Sequence, residues 1–203
     1  MGPENADPKR YAEATQRNRE PIVAVLERVL PSSGLVLEIA SGTGEHAAFF
    51  ASRLPRLTFQ PTDREPQLLD SIAAWRVESG ADNLRAPLYL DVMAPAWPIE
   101  HAQAMLAINL IHIAPWEACG ALLDGAARVL APGGVLYFYG PFKQAGRHTA
   151  PSNQAFDQSL RARDPAWGVR DVDEVVAQAR KRGLVLVETV QMPNHNLSVI
   201  FRR

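Results

Sequence analysis

The segment V-L-E-I-A-S-G-T-G (36–44) joins an apolar β-type run to a short turn that carries two glycines, Gly42 and Gly44. A helical pattern follows from Glu45. Such a unit brings backbone N–H groups close to a nucleotide-like ligand, because a Cβ in the turn would block the approach or the positive φ. Asp63 ends the next apolar run, at the offset of about 20 residues where an acidic residue takes ribose hydroxyls. The alternative is a plain strand–turn–helix crossover with an acidic cap.

The residues beside the glycines favour a ligand without phosphate. A dinucleotide site has the pattern G-x-G-x-x-G, with the helix N-terminus facing a pyrophosphate. Here Ala47 takes the third glycine position, and Glu45 opens the helix, where its carboxylate would repel a pyrophosphate. S-adenosylmethionine carries adenosine, a sulfonium and an amino-acid tail, and Glu38 is placed for the cationic tail. The sequence therefore predicts S-adenosylmethionine as cofactor, with a nicotinamide dehydrogenase as a distant alternative.

The run V-L-E-I-A-S-G-T-G-E-H resembles motif I of the class I methyltransferases, with Ala40 in place of the first glycine of the usual G-x-G-x-G. More narrowly, the chain resembles the DUF938 family, the methyltransferase-like protein 26 group. The matching stretches are R-N-R-E-P-I (17–22), E-I-A-S-G-T-G-E-H (38–46), N-L-I-H-I-A-P-W (109–116), Y-G-P-F (139–142), S-N-x-x-F-D (152–157), W-G-x-R-D (167–171) and M-P-N-H-N (192–196). The resemblance implies S-adenosylmethionine-dependent methyl transfer to a substrate that the family does not identify.

Residues at the ends of the later apolar runs complete the predicted cofactor site. The resemblance places Asp91 at the adenine edge, where its carboxylate would accept from the exocyclic amine and the Val92 N–H would meet a ring nitrogen, although Asp91 suits a turn equally well. Asn109 offers a donor and an acceptor where the methionine tail should lie. The predicted cofactor-binding residues are Glu38, Ala40, Ser41, Gly42, Gly44, His46, Asp63, Asp91, Val92, Asn109 and Leu110.

His112 is the predicted catalytic residue. It follows an apolar strand and precedes A-P-W, which places it on a loop at the rim of the pocket. A neutral imidazole there can accept a proton from an attacking hydroxyl, amine or thiol. The alternative is that the ring only packs, since many methyl transfers depend mainly on alignment of the nucleophile with the methyl carbon.

Residues 140–170 show no clear period and are interpreted as a substrate lid insertion. Its arginines suit a carboxylate or phosphate on the acceptor, or else form a solvated face balanced by aspartates. The start of the first helix is expected to close over the same pocket. The predicted substrate residues are Arg17, Asn18, Tyr139, Phe142, Asn153, Phe156, Arg161, Arg163 and Trp167.

The elements that must position these residues follow from hydrophobic periodicity. Strands are predicted at 35–40, 57–62, 84–90, 104–109, 135–139, 184–191 and 197–201, and helices at 45–53, 66–77, 115–130 and 171–182, with a first helix from Arg17. The last two strands are joined too tightly for a crossover helix, so one of them must be antiparallel. The fold class is therefore α/β, a doubly wound seven-stranded sheet, mostly parallel with one antiparallel late strand.

Composition limits the remaining choices. A chain of 203 residues predicts one domain, 1–203, with a flexible N-terminal segment over 1–16. The net charge of −1 argues against a nucleic-acid partner, and the absence of N-P-P-Y after the fourth strand argues against a protein or nucleic-acid methyltransferase. A catalytically silent cofactor-binding scaffold is a further alternative. We expect a cytoplasmic protein with a small-molecule acceptor, no membrane partner and no metal site, and the oligomeric state stays open.

Overall fold

Strands and helices alternate over residues 7–203, the part of the chain that the computed structural model describes. The helices are α1 (Glu13–Val29), α2 (Glu45–Arg53), α3 (Pro66–Ser79), α4 (Trp116–Val129), α5 (Pro151–Arg163) and α6 (Val172–Arg180). The strands are β1 (Gly34–Ile39), β2 (Leu57–Asp63), β3 (Leu88–Tyr89), β4 (Ala102–Ile108), β5 (Leu130–Gly140), β6 (Lys143–Gln144), β7 (Arg147–His148), β8 (Val185–Met192) and β9 (Asn196–Arg202). Two short 3-10 turns occupy Leu110–His112 and Pro193–His195.

Seven strands form one sheet in the order β3-β2-β1-β4-β5-β9-β8. β1 pairs in parallel with β2 and β4, and β4 pairs in parallel with β5, whereas β9 is antiparallel to both β5 and β8. This topology confirms the predicted doubly wound sheet with one antiparallel late strand. Strand order reverses between β1 and β4, which opens a crevice at their carboxyl ends.

Two apolar layers cover the faces of the sheet, because side chains along each strand alternate between the faces. Leu37, Met105 and Phe138 pack in the layer formed with α4 and α6. Val36 and Leu106 pack in the layer formed with α1 and α2. By the same alternation, Glu38 projects toward the side of α1 and α2, although it is an acid inside an apolar strand.

The N-terminal helix begins at Glu13, earlier than the expected Arg17. The flexible segment predicted over 1–16 therefore extends too far into the chain, because residues 13–16 are helical. Residues 1–6 of that segment lie outside the described residues. Ala12 donates its backbone N–H to a carboxylate oxygen of Glu45 over 2.6 Å. Arg10 is also held, because its N–H donates to Ser71 Oγ over 2.8 Å. Because these contacts are made by polar groups, the sequence has no apolar periodicity here from which they could be predicted.

Residues 140–170 are not an aperiodic loop, which corrects the prediction. They form the β6–β7 hairpin and the helix α5. The buried face of α5 consists of Asn153, Asp157 and Leu160, at helical spacing but with two polar members. A period defined by apolar residues therefore could not reveal this helix.

The third strand is also shorter than predicted. β3 covers only Leu88–Tyr89 of the expected 84–90, and Leu84 makes an isolated parallel bridge to Phe59. Within residues 7–203, no helix combines the length and the apolarity needed to cross a bilayer.

Candidate functional site

The turn after β1 has the backbone conformation of a close-approach loop. Ala40 has φ 53° and Gly42 has φ 59°, both in the left-handed region. Glycine adopts this region freely, whereas a residue with a Cβ does so at a cost of about 1–2 kcal/mol. Ala40 thus adopts the backbone that the first glycine of the usual motif would take, so local strain is concentrated at this turn.

The two glycines of the turn have different neighbours. A Cβ at Gly42 would meet no atom within 4 Å, so the space beside it is open to a ligand. A Cβ at Gly44 would lie 2.7 Å from the Cα of Ile72 in α3. Gly44 is therefore required for packing of α2 against α3, and its role as a cofactor-binding residue stays a prediction.

Asp63 binds the turn to the end of β2. Its Oδ2 accepts the N–H of Gly42 over 3.0 Å, and its Oδ1 accepts the N–H of Glu65 over 3.0 Å. Burial raises the pKa of this carboxyl, an effect that these backbone hydrogen bonds oppose. Each carboxylate oxygen keeps a second lone pair for a further donor. Ser41 reinforces the junction, because its N–H donates to the carbonyl of Thr62 over 2.8 Å.

Glu38 is the most unusual group of the site. Its side chain is buried, and Oε2 has no hydrogen-bond partner among the described residues. Burial raises its pKa to about 7, against a lowering by the Ser41 hydroxyl and with a further increase from the charge of Asp63. A buried acid without a cation is costly, so this position suits a cationic group of a ligand.

A cavity of about 270 Å³ lies at the carboxyl ends of the strands. It brings together four predicted cofactor-binding residues, Ala40, Asp91, Val92 and Leu110. The complete lining is Ile39, Ala40, Arg64, Glu65, Leu90, Asp91, Val92, Met93, Leu110, Ile113, Ala114, Pro115, Ala118 and Trp167. An apolar slot with a few polar groups at its edge suits a planar base.

Asp91 and Asn109 also shape their own loops. Asp91 Oδ1 accepts the N–H of Met93 over 2.9 Å, so the carboxylate organises its turn while lining the cavity. Asn109 has φ 60°, and its N–H donates to the carbonyl of Tyr139 over 2.8 Å. Asn109 therefore joins the ends of β4 and β5, at the entrance to the 3-10 turn.

His112 lies inside the protein and not on the rim, which corrects its predicted position. Its side chain is 0% exposed and packs edge-on against Phe142, with ring centroids 4.9 Å apart. Nδ1 accepts the backbone N–H of Arg170 over 3.3 Å, so the proton of the neutral ring is on Nε2. Burial, with a smaller effect of the Arg170 charge, lowers the pKa of His112 to about 3. The ring therefore has an N–H donor at Nε2, and its other nitrogen, Nδ1, is already hydrogen-bonded and not free to accept a substrate proton.

Asn18, His46, Tyr139 and Asn196 form a second group of polar side chains, here called the polar network. His46 Nε2 lies 2.8 Å from Asn18 Oδ1, and Asn196 Nδ2 donates to the Tyr139 hydroxyl over 3.0 Å. Burial raises the pKa of the Tyr139 hydroxyl, an effect that the side chains of Asn18 and Asn196 oppose. Burial and the charge of Arg19 lower the pKa of His46 to about 4, so the network is neutral at physiological pH.

Strand register places the polar network beside the turn. Ile39 lies opposite Ala107, and Ala107 lies opposite Phe138. Tyr139 is therefore level with Ala40, two strands away, or about 10 Å by the usual strand spacing. The structure thus connects His46, predicted as a cofactor contact, to Asn18 and Tyr139, predicted as substrate residues.

Most other predicted substrate residues have structural partners. Arg161 Nε donates to Asp157 over 3.2 Å, and the Arg163 guanidinium lies 5.1 Å from the centroid of the Trp167 ring. Phe142 is fully buried against His112, which corrects its assignment to the acceptor surface.

Three further predicted substrate residues lie in different surroundings. Arg17 is exposed and pairs with Glu13 over 3.3 Å one helical turn away. Asn153 donates to the carbonyl of His195 over 2.9 Å and so ties α5 to the β8–β9 connection. Phe156 remains exposed on α5.

Sequence reasoning missed two residues that organise this region. Arg170 donates from Nε to the carbonyl of Ile111 over 3.0 Å and from Nη2 to that of Ala114 over 2.7 Å. Asn196 belongs to the polar network. Both lie in stretches that carried the family resemblance, W-G-x-R-D and M-P-N-H-N, which is the only signal in the sequence that points to them.

The different neighbours of the two glycines predict different outcomes for the same substitution. Gly42→Ala should cost roughly 1–2 kcal/mol of stability through the left-handed backbone and weaken cofactor binding by filling open space. Gly44→Ala should lose roughly 1–3 kcal/mol more, because its Cβ meets the backbone of α3. Urea denaturation and calorimetry on both variants measure these effects. Equal stability of the two variants would contradict the packing role of Gly44.

The raised pKa of Glu38 predicts that one substitution will stabilise the ligand-free protein and weaken cofactor binding. A folded-state pKa above the unfolded value means that stability is lost as the pH rises from about 4.5 through about 7. Glu38→Gln should therefore stabilise the ligand-free protein at pH 8 by up to about 3 kcal/mol, with a smaller gain at pH 5. The same variant should bind the cofactor more weakly.

Thermal unfolding at the two pH values, with the exposed Glu100→Gln as control, provides the measurement. A Glu38→Gln protein less stable than the wild type at pH 8 would show that the carboxylate is already compensated inside the chain.

The fold is similar to those of solved methyltransferases. An O-methyltransferase family protein from Burkholderia thailandensis matches with a TM-score of 0.81 at 18% identity, over 94% of this chain and 57% of that chain. Human N-acetylserotonin methyltransferase in complex with SAM matches with a TM-score of 0.79 at 14% identity, over 94% and 53% of the two chains. A protein from Galdieria sulphuraria, named as a candidate sarcosine dimethylglycine methyltransferase, matches with a TM-score of 0.74 at 16% identity. The match covers 99% of this chain and 94% of that chain.

This chain spans little more than half the length of the first two proteins, and at these identities the similarity concerns the fold. The sequence match is more specific. Residues 9–203 match the family described as a protein of unknown function, DUF938. Because the match covers nearly the whole chain, this protein, with its class I methyltransferase fold, belongs to the DUF938 family.

Proposed function

We propose that the chain binds S-adenosylmethionine and transfers its methyl group to a small-molecule acceptor. The observation that carries the proposal is the buried carboxylate of Glu38, which has an unpartnered Oε2 beside the glycine turn. A cationic amino-acid tail would compensate this charge, whereas a ligand without a cation would leave it buried and unpaired. When bound, the cofactor supplies the electrophilic methyl group of its sulfonium.

The residues present fit the parts of this cofactor. Glu38 would hold the ammonium, and the open space at Gly42 would admit the chain that carries it. Asp63 keeps lone pairs for the ribose hydroxyls. The apolar cavity with Asp91 at its edge would hold the adenine base. Ligand binding at the point where strand order reverses is the rule in open α/β sheets.

The contacts of Glu45 support a cofactor without a pyrophosphate. Its carboxylate is buried at the first turn of α2 and accepts from Ala12 N–H over 2.6 Å and from the Thr43 hydroxyl over 3.1 Å. The negative charge is therefore fixed at the helix N-terminus where a dinucleotide phosphate would bind. This arrangement disfavours a nicotinamide cofactor.

The proposed acceptor is small and uncharged. The polar network offers neutral hydrogen-bonding groups level with the glycine turn. Of the two arginines that were predicted to bind the acceptor, Arg161 pairs with Asp157 and Arg163 lies over the ring of Trp167. These two contacts favour an uncharged acceptor over an anionic one. The names of two solved neighbours, N-acetylserotonin methyltransferase and sarcosine dimethylglycine methyltransferase, refer to small acceptors of those proteins.

His112 is proposed to position the end of β4 and not to remove a proton. Its Nδ1 is occupied by the Arg170 N–H, so Nε2 already carries the ring proton. Replacing His112 by Gln keeps an acceptor for this N–H and should lower turnover by less than about tenfold. A fall of roughly 10²–10⁴-fold with intact cofactor affinity would instead restore the general base. Single-turnover kinetics on the two proteins measures the difference.

The cofactor is tested by calorimetry with S-adenosylmethionine, S-adenosylhomocysteine and NAD. We expect binding of the first two ligands and no heat from NAD, and the reverse pattern would refute the proposal. Methyl transfer is then tested by detection of S-adenosylhomocysteine with a panel of phenols, thiols, amines and carboxylic acids. Tight cofactor binding without turnover on any acceptor would favour the alternative of a cofactor-binding scaffold.

A further inference from the structure

Trp167 lies on the cavity at the carboxyl ends of the strands, although it comes from the 140–170 segment. Its ring lines the same cavity as Leu110 and Ile113 and is half-buried. The guanidinium of Arg163 lies 5.1 Å from the ring centroid and supports the indole from its own segment. A wall made of one flat aromatic ring and aliphatic side chains suits a flat aromatic ligand.

The backbone beside Trp167 is attached to the turn that forms the rest of this wall. The N–H of Gly168 donates to the carbonyl of His112 over 2.9 Å. Two carbonyls of the same turn, those of Ile111 and Ala114, accept from the guanidinium of Arg170. Residues 166–170 and 110–114 therefore form one unit, and the backbone of Trp167 cannot move away from the turn without breaking these hydrogen bonds.

The same unit is connected to α5 through Asp157. This buried carboxylate accepts the N–H of Val169 over 2.7 Å and also pairs with Lys143 at 3.5 Å and His148 at 3.4 Å. A ligand in contact with Trp167 therefore touches a segment that is linked through Asp157 to α5 and to the β6–β7 hairpin.

We propose that Trp167 is a cofactor-binding residue that stacks on the adenine base, so that the 140–170 segment is part of the cofactor site. This inference rests on the proposed function, since it assigns one end of S-adenosylmethionine to this cavity. It replaces the prediction that Trp167 contacts the acceptor.

The test uses the full chain and S-adenosylhomocysteine as probe, with tryptophan fluorescence and calorimetry as readouts. Binding to the wild type should change the emission. Trp167→Phe should abolish this change but keep an aromatic wall, so its affinity should stay within about threefold. Trp167→Ala should weaken binding on the order of tenfold, as loss of base stacking does.

Trp116→Phe is the matched control. Trp116 also carries an arginine over its ring, Arg170 at 5.5 Å, and it does not line the cavity. This variant should retain both the emission change and the affinity of the wild type. Adenosine and homocysteine, added separately, identify the end of the cofactor that reaches Trp167: adenosine should change the emission, and homocysteine should not.

The outcomes separate this inference from the proposed function. If the wild type binds S-adenosylhomocysteine but Trp167→Phe keeps the emission change, Trp167 is not at the adenine and the inference is wrong. A response to homocysteine alone would overturn it in the same way. If the wild type does not bind S-adenosylhomocysteine in calorimetry, the proposed function fails and the inference fails with it. Should Trp167→Ala not fold, Trp167→Phe still decides.

Discussion

Two carboxyl groups are buried at the ends of adjacent strands, Glu38 on β1 and Asp63 on β2, and the site depends on how each is compensated. Asp63 is stabilised by the backbone N–H groups of Gly42 and Glu65. Glu38 has no such donor for its Oε2 among the described residues, and burial raises its pKa to about 7. The fold thus keeps one carboxyl group whose charged form requires an external cation. A chain selected for stability alone would place an apolar residue at Glu38.

The rest of the site is arranged around this group. On one side, the apolar cavity reaches from Ala40 to Trp167. On the other side, the polar network offers hydrogen bonds without charge, because burial keeps the rings of His46 and Tyr139 neutral. The two sides therefore differ, because Arg64, Glu65 and Asp91 line the edge of the cavity whereas the polar network is neutral. This asymmetry supports a reaction driven by alignment of a neutral acceptor with a cationic methyl donor.

Features set by neighbours in sequence were predictable, and features set by distant packing were not. The glycine turn and Asp63 follow from spacing along the chain, and the antiparallel last strand follows from a connection too short for a helix. The helix α5 was missed because Asn153 and Asp157 occupy its buried face. The burial of His112 was missed because it requires residues 167–170 to fold over the 3-10 turn. The place of Trp167 on the cavity at the strand ends was not predicted for the same reason, since no local pattern indicates which cavity a distant segment covers.

The central claim is that Glu38 receives the cation of the cofactor, and proton release on binding tests it most directly. Because burial raises the pKa of Glu38 to about 7, the ligand-free carboxyl is partly protonated at neutral pH, and an ammonium group bound beside it would expel that proton. Calorimetry with S-adenosylhomocysteine at pH 7, in two buffers of different ionisation enthalpy, should show proton release by the wild type and none by Glu38→Gln. An apparent enthalpy that does not depend on the buffer, or release that persists in Glu38→Gln, would contradict the account.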